Sequence, residues 1–390
     1  MSETFNFLIV GAGFSGAVLA RELASNIPCK ILVLEERKHV GGNCHTERDS
    51  ATGIMIHVYG PHIFNTNSAR VWEYVNRFGK FCPFINRVKA CTPRGVFSLP
   101  INLHTINQFF GRTFNPTEAR AFIESLGDKK IVEPKNFEEQ ALKMLGRDLY
   151  ETFFAGYTRK HWGCDPTELP ATILKRLPVR FNYDDSYYDK KYQGIPKEGY
   201  SSVIERLLDH PSVEVQIGTP YRREDDQHQF DHVFYTGAID AFFDHSLGRL
   251  GYRTVTFERI DSRGDYQGNP VINYPALNVP WTRIHEHKHF TPWERHELTV
   301  AFREYSKETE PGDLPFYPKR LVPDRKLLLD YRAMAEAVKR VSFLGRLATY
   351  RYMDMETVID EALEFAEVFI EKLRRGSSPP VFANVEPSWP

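Results

Sequence analysis

Cysteine is scarce in this chain, with five residues in 390, at positions 29, 44, 82, 91 and 164. An odd count without a Cys-x-x-Cys pair excludes a disulfide framework and a cysteine-rich zinc site, so reduced thiols are expected. Charge of one sign is also missing. Fifty Lys and Arg stand against 51 Asp and Glu, a net charge of -1, which leaves no global field to hold nucleic acid or an anionic membrane. No long apolar run occurs either. The run from Phe7 to Val10 is cut at once by Gly11, far short of a membrane span or a signal-peptide core. The expectation is a soluble cytoplasmic protein with no nucleic-acid partner and no membrane insertion. P-loop and G-x-S-x-G patterns are absent as well. The chain does have length for two or three domains of roughly 100–200 residues each. It also has aromatics, 28 Phe and 19 Tyr, whose rings suit stacking on sugars, bases or flavins but equally fill large cores.

Residues Phe5 to Val10 form an apolar run of strand length, followed directly by Gly11-Ala12-Gly13-Phe14-Ser15-Gly16 and by Ala17 to Leu23 with helical spacing. Gly11 permits a tight turn, Gly13 lets backbone approach a pyrophosphate, and Gly16 lets the helix pack closely on the strand. A second strand, Lys30 to Leu34, ends in Glu35, 19 residues beyond Gly16, near the spacing of a carboxylate that accepts from a ribose hydroxyl. Arg37 to Asn43 continues it with the pair Gly41-Gly42, which looks like the extended signature of two-dinucleotide-binding flavoproteins and favours FAD over NAD. No separate pyridine-nucleotide fingerprint is present. Near the C-terminal end, a helix from Met355 to Arg374 with Asp354 as N-cap is expected to bury Ile359, Ala362, Leu363, Ala366, Phe369, Ile370 and Leu373 and to stop before Gly376. Its N-terminus suits negative charge on a reduced flavin, though a plain capped surface helix fits the same residues.

The fold class is therefore α/β with α+β elements: a two-dinucleotide-binding, Rossmann-like FAD domain with a helical insert and an antiparallel β-sheet domain. The FAD domain is expected from residues 1–81, 193–243 and 316–376, with strands at Val213 to Ile217 and His232 to Tyr235 returning to it. Residues 102–178 are the helical insert, where Asn115-Pro116, Asn136 and Asp148 mark helix starts and Gly127 a helix end; a mobile loop is expected near 170–180. Residues 82–101, 179–192 and 244–315 make the antiparallel sheet, and 377–390 a poorly ordered tail rich in Pro and Ser.

The run His285-Glu286-His287-Lys288-His289 matches HExxH by letter. A zinc protease needs that motif on a helix, whereas Thr282 to Ile284 before it and Phe290 to Pro292 after it indicate a strand, read as an exposed face of mixed charge. No metal is expected. The helix opening at Asp148 places Phe153 and Tyr157 four residues apart, with Trp162 just past its end; the rings suit stacking on a base, and core packing is the plainer alternative. Arg176 and Arg180 frame Leu177-Pro178-Val179 before the polar stretch Asn182 to Tyr188. Arginine forks pair bidentately with diphosphate oxygens, and solvated surface arginines are the alternative.

Five separated segments, Gly60 to Phe64, Tyr157 to Gly163, Arg176 to Arg180, Arg283 to His289, and Gly345-Arg346 to Asp354, occur in an order that resembles the bacterial UDP-galactopyranose mutases over nearly the whole chain. The resemblance implies a flavin-dependent isomerase that interconverts UDP-galactopyranose and UDP-galactofuranose through N5 of reduced FAD, with no net redox change. It implies priming by NADPH or another reductant, a homodimer or larger homo-oligomer, and a role in cell-wall polysaccharide synthesis. Carried over by position, it puts uridine against Phe153, Tyr157, Thr158 and Trp162 with Asn86 nearby, and the diphosphate between Arg176 and Arg283. Tyr187, Asn273, Tyr317 and Tyr352 would bond the phosphates. Gly11, Gly13, Phe14, Ser15, Gly16, Glu35, Glu36, Gly42, Asn43, His62, Ile63, Thr219, Arg346, Tyr352, Asp354 and Met355 would hold the cofactor, with His62 beside the flavin. The HEHKH run becomes a strand beside the substrate arginine. His161 departs from the pattern, since many relatives carry Gln there, and the long insertions of eukaryotic forms are missing. Two other readings share the glycine motif: an FAD oxidoreductase of the amine-oxidase kind, and a flavin-free binding module like the guanine-nucleotide dissociation inhibitors.

Overall fold

The computed structural model describes residues 6–175, 179–226 and 230–383. Its first sheet has five strands, all parallel, in the order Val213–Ile217, Ile31–Glu35, Phe7–Val10, His232–Tyr235, Val341–Phe343. The expected strand Phe5 to Val10 is found as Phe7–Val10, Phe5 lying outside the described residues. Period-2 alternation sends Phe7 and Ile9 to one face and Leu8 and Val10 to the other. Phe7 and Ile9 pack with the helices Phe14–Asn26, Gly199–Leu208 and Met355–Arg374; Leu8 packs with Ile239–Phe242 and Val322–Glu336. Burial on both faces is the usual condition of a parallel sheet.

The second large sheet has seven strands, in the order Tyr317–Pro318, Tyr252–Arg263, Leu298–Glu308, Arg283–Glu286, Val271–Asn273, Val88–Thr92, Gly95–Leu99. The sheet expected to be antiparallel is mixed: Val271–Asn273 runs parallel to Val88–Thr92, the chain between them passing through the helical insert and two strands of the first sheet. The insert begins with Leu103–Phe110, Pro116–Leu126 and Phe137–Leu145. Asn115 closes a capping box with Glu118, and Asn136 Oδ1 accepts from the Glu139 amide at 2.9 Å. Asp148 is not a cap, since Gly146 at φ +75 precedes a helix that already starts at Arg147. That helix runs on as a π-helical turn, Glu151–Ala155, and then as Gly156–Trp162.

Two further expectations change. The helix Met355–Arg374 forms with the expected ends, but Leu373 is 45% exposed and Phe365 is buried, because the apolar stripe drifts off the sheet in the last turn. The tail is docked as far as Ala383: the Phe382 ring stacks on Phe343 at 5.4 Å, and the Phe343 amide donates to Val381 O at 2.7 Å. One large ring finding an apolar sheet edge outweighs the polar composition around it. Among the described residues no helix is long and apolar enough to cross a membrane.

Candidate active site

The glycine turn behaves as its spacing predicts. Gly11 has φ +102, and a Cβ there would lie 2.2 Å from Thr236 Oγ1; a Cβ on Gly16 would lie 2.0 Å from Gly11 O. Gly13 is different, since nothing lies within 4.0 Å of its added Cβ except Gly42 Cα, so two backbone turns face each other across open space. Glu35 Oε2 accepts from the Ala12 amide at 2.9 Å and Oε1 from the Arg37 amide at 3.0 Å, which holds both turns and leaves one lone pair on each oxygen. The helix Phe14–Asn26 points its free N–H groups at this space.

A cleft of about 930 Å³ runs from here past Gly11, Gly13, Phe14, Ser15, Glu35, Glu36, Gly42, Asn43, His62, Ile63 and Thr219 to Arg346, Asp354 and Met355, and reaches Arg283, Tyr317 and Tyr352. Gly16 supports it from behind. Residues of this cleft fit a dinucleotide: Arg37 Nη1 and Arg346 Nε and Nη2 are buried without a protein partner, as donors awaiting an anionic group. Asp354 occupies the N-cap position but makes no cap hydrogen bond. His62 Nδ1 lies 2.8 Å from Gly60 O, which assigns the proton to Nδ1 and leaves Nε2 an acceptor. Burial pulls the His62 pKa down to about 4, so the ring is neutral.

At the far end, Arg283 faces Asn273 in register across two strands of the mixed sheet. Its Nε donates to Glu304 Oε2 at 2.8 Å, and Thr282 Oγ1 donates to Glu304 Oε1 at 3.1 Å. Burial opposes the charge on Arg283, but the Glu304 carboxylate and the tyrosine oxygens around it outweigh that, and the guanidinium stays protonated. Tyr157, Tyr187 and Tyr317 lie near it, their phenols raised by burial, that of Tyr317 to about 12. They are therefore neutral O–H donors. Tyr317 and Tyr352 stack at 5.9 Å, and the Arg346 guanidinium sits over both rings, at 5.0 and 4.6 Å.

The helix Gly156–Trp162 packs beside this end through Tyr352. Tyr157 stacks on His161 at 5.8 Å, Trp162 lies 6.3 Å from Tyr352, and Thr158 is buried. Burial takes His161 down to about 3, a neutral ring. Phe153 does not join this face: it packs edge-on against Phe97 at 5.4 Å and against Phe109 at 5.5 Å. The turn that carries it is π-helical, with one residue more than an α-turn, so the α-spacing assumed for Phe153 and Tyr157 fails. Asn86 is buried, its Oδ1 without a protein partner and its carbonyl accepting from the Tyr187 amide at 2.8 Å. Arg176 lies outside the described residues.

The HEHKH run is not an exposed face. Arg283–Glu286 is an interior strand followed by the turn His287–Phe290, and His285, Glu286 and His287 are each 0% exposed. Asp265, Glu286 and His289 bring ligand-type atoms within 4.8 Å of one another. Two of the three are already engaged: Glu286 accepts from the Tyr266, Gln267 and Gly268 amides and from Thr299, and Lys288 Nζ lies 2.6 Å from Asp265. Sequence reasoning missed Glu304, one of two acids in an 11-residue strand, because no local pattern marks which strand acid is buried. It also missed Tyr188, which lines the cleft beside Tyr187.

A parallel sheet whose glycine turn opens into a cleft, closed at the other end by a second sheet holding a paired arginine, is the build of a dinucleotide-dependent α/β enzyme. The crystal structure of reduced UDP-galactopyranose mutase shares the fold at TM-score 0.73, with 15% identity over 95% of this chain and 96% of that one. Cyclohexylamine oxidase from Brevibacterium oxydans IH-35A shares it at TM-score 0.58, with 13% identity over 96% and 100%. A NAD(P)-binding Rossmann-like model matches residues 9–78, and the UDP-galactopyranose mutase model matches residues 152–352. A probable UDP-galactopyranose mutase of Klebsiella pneumoniae is 51% identical over 97% of this chain and 98% of its own length. A dTDP-fucopyranose mutase of Escherichia coli is 50% identical over 93% and 98%. The chain belongs to the UDP-galactopyranose mutase family and is a flavin-dependent isomerase.

Proposed function

We propose that this enzyme interconverts UDP-galactopyranose and UDP-galactofuranose with FAD in its reduced form, by covalent catalysis and with no net oxidation. The observation that carries the reading is Arg283, a half-buried cation held by the buried Glu304 among neutral tyrosines where the dinucleotide cleft meets the mixed sheet. Reduced FAD supplies a nucleophilic N5 for the anomeric carbon; NADPH or another reductant would prime it. The Gly11 to Gly16 turn, Glu35, Gly42 and Arg346 would hold the cofactor, and His62 would sit at the flavin. Arg283, with Arg176, would stabilise the departing diphosphate by fixed positive charge in a site shielded from water. Tyr157, Tyr187, Tyr317 and Tyr352 would orient the phosphates, and Trp162, Thr158, Asn86 and Asn273 would line the nucleotide. On this reading residues 1–81, 193–243 and 316–376 serve FAD, except that Tyr317 and Tyr352 face the substrate, while 102–178 and the mixed sheet, which Tyr317–Pro318 joins, serve the substrate. The same proposal makes the enzyme a cytoplasmic homodimer or larger homo-oligomer, which sedimentation tests.

A second reading concerns substrate only. The Escherichia coli relative, a dTDP-fucopyranose mutase, is nearly as similar as the Klebsiella pneumoniae one; its sugar lacks the 6-hydroxyl and its base carries a methyl. The experiment incubates dithionite-reduced protein anaerobically with UDP-galactofuranose and, separately, with dTDP-fucopyranose, and follows ring size by chromatography. UDP-galactopyranose should form from the first. Turnover of the dTDP sugar alone selects the second reading; turnover of neither, with oxidised protein in air reducing O2 to hydrogen peroxide as it oxidises an amine, returns the chain to the oxidases that share its fold.

A further inference from the structure

Lys160 belongs to the helix Gly156–Trp162, and its Nζ is ringed by four backbone carbonyl oxygens: Tyr274 at 2.5 Å, Val279 and Trp281 at 2.8 Å, and Ala276 at 3.0 Å. All four lie in the segment joining Val271–Asn273 to Arg283–Glu286. An ammonium has three hydrogens, so three donors serve four acceptors, and the charge rests on peptide dipoles in the way a carbonyl filter holds a potassium ion.

A second observation concerns the same helix face. Gly156, one turn before Lys160, would place a Cβ 2.2 Å from Pro275 O and 3.3 Å from Leu277 Cγ. Glycine inside a helix is less stable than alanine, and here it is what lets the helix touch the loop. The helix is also held from its far end: Arg253 Nε and Ser306 Oγ donate to His161 O at 2.9 and 2.7 Å, and Arg253 Nη2 to Lys160 O at 3.2 Å. The loop's own neck is closed by the Tyr274 amide on Thr282 O at 2.8 Å, just beyond the facing pair Asn273 and Arg283.

We infer that Lys160 is a positioning residue whose ammonium, acting as a built-in monovalent cation, fixes the helix bearing Tyr157 and Trp162 against the hairpin bearing Asn273 and Arg283, and thereby sets the geometry of the nucleotide-diphosphate site. The inference rests on the substrate reading given above. Lys160→Met empties the ring of charge while keeping an apolar stem. In flavin-loaded protein titrated calorimetrically with UDP, the Kd should rise about tenfold or more, the cost of a small misplacement, and KM should rise by a larger factor than kcat falls. Potassium or ammonium chloride should restore most of the affinity, and lithium chloride at equal ionic strength should not. Gly156→Ala keeps the ammonium and pushes the loop away, so its UDP Kd should rise too, which covers the case of a Met variant that fails to fold. A Kd within about twofold of wild type in both variants overturns the inference, as does a loss in Lys160→Met that potassium and ammonium leave unrepaired. Wild-type protein that binds neither UDP nor dTDP overturns the nucleotide reading itself, a separate and visible failure.

Discussion

Arg283 donates from Nε to Glu304 Oε2 at 2.8 Å, and the two differ in exposure: the Glu304 side chain is 1% exposed, the Arg283 side chain 24%. The acid is the buried anchor and the base its accessible end. Removing a charged hydrogen-bond partner costs about 1.5–3 kcal/mol, so Glu304→Gln should lower kcat/KM roughly 10- to 100-fold while leaving the flavin bound. Arg283→Ala should cost about 3–4 kcal/mol of transition-state stabilisation, the scale of one lost oxyanion donor. Steady-state kinetics on reduced enzyme decide it; activity within about threefold of wild type in Arg283→Ala refutes the assignment.

The two glycines of the turn should fail differently. Gly16→Ala puts a methyl 2.0 Å from Gly11 O, a clash with backbone, and should yield little folded protein. Gly13→Ala meets no atom nearer than 4.0 Å and should fold, but its methyl enters the gap between the two turns. Purified Gly13→Ala should therefore be colourless with a thermal midpoint close to that of wild-type apoprotein. A yellow preparation with a full complement of flavin would show that the gap is not the pyrophosphate site.

Phe153 and Tyr157 should separate stability from activity. Phe153, packed on Phe97 and Phe109, should cost about 3–5 kcal/mol of unfolding free energy on mutation to alanine. Tyr157→Phe keeps its ring on His161 and removes only the O–H, so denaturation should change by less than about 1 kcal/mol while KM rises. Equal loss of stability in both would count against the division.

Six histidines, five buried and His62 half-buried, should make the protein sensitive to acid. Burial lowers His62 and His232 to about 4, His161 and His287 to about 3, and His57 and His285 well below their ordinary value. Between an unfolded pKa of about 6.5 and these lower folded values, the unfolded chain binds more protons, so stability falls as pH falls through that window, by about 1.4 kcal/mol per pH unit per histidine. Above about pH 6.5 these groups contribute no pH dependence. Unfolding near pH 5 should take up about six protons from them, measurable from the pH slope of the unfolding free energy; an uptake below about three would contradict their neutral burial.

How much was legible can be seen residue by residue. The strand Phe7–Val10, the turn at Gly11 and the cap at Asn115 are written locally, in alternation, in a glycine's freedom at φ +102, and in an amide three residues from its partner. Asp148 is misread as a helix start because a glycine N-cap has no distinct local signature, whereas at Phe153 the plainer reading, core packing, is the one the π-helical turn serves. The HEHKH run reads as an exposed strand, yet only His285 and Glu286 are strand, His287 to His289 form a turn, and the strand part is buried, since alternation tells faces apart but not whether a strand is interior to a sheet that is covered on both sides.

Spacing alone was enough to establish the dinucleotide turn, its acid and the long helix from Met355, because each depends on contacts within a few residues or on one periodicity. Folding in three dimensions chose Glu304 as the mate of Arg283, ringed the Lys160 ammonium with carbonyls more than 110 residues away, and seated Phe382 on Phe343. Those are contacts between elements remote in sequence, where any acid, lysine or aromatic of the right strand or loop would read the same until packing selects one.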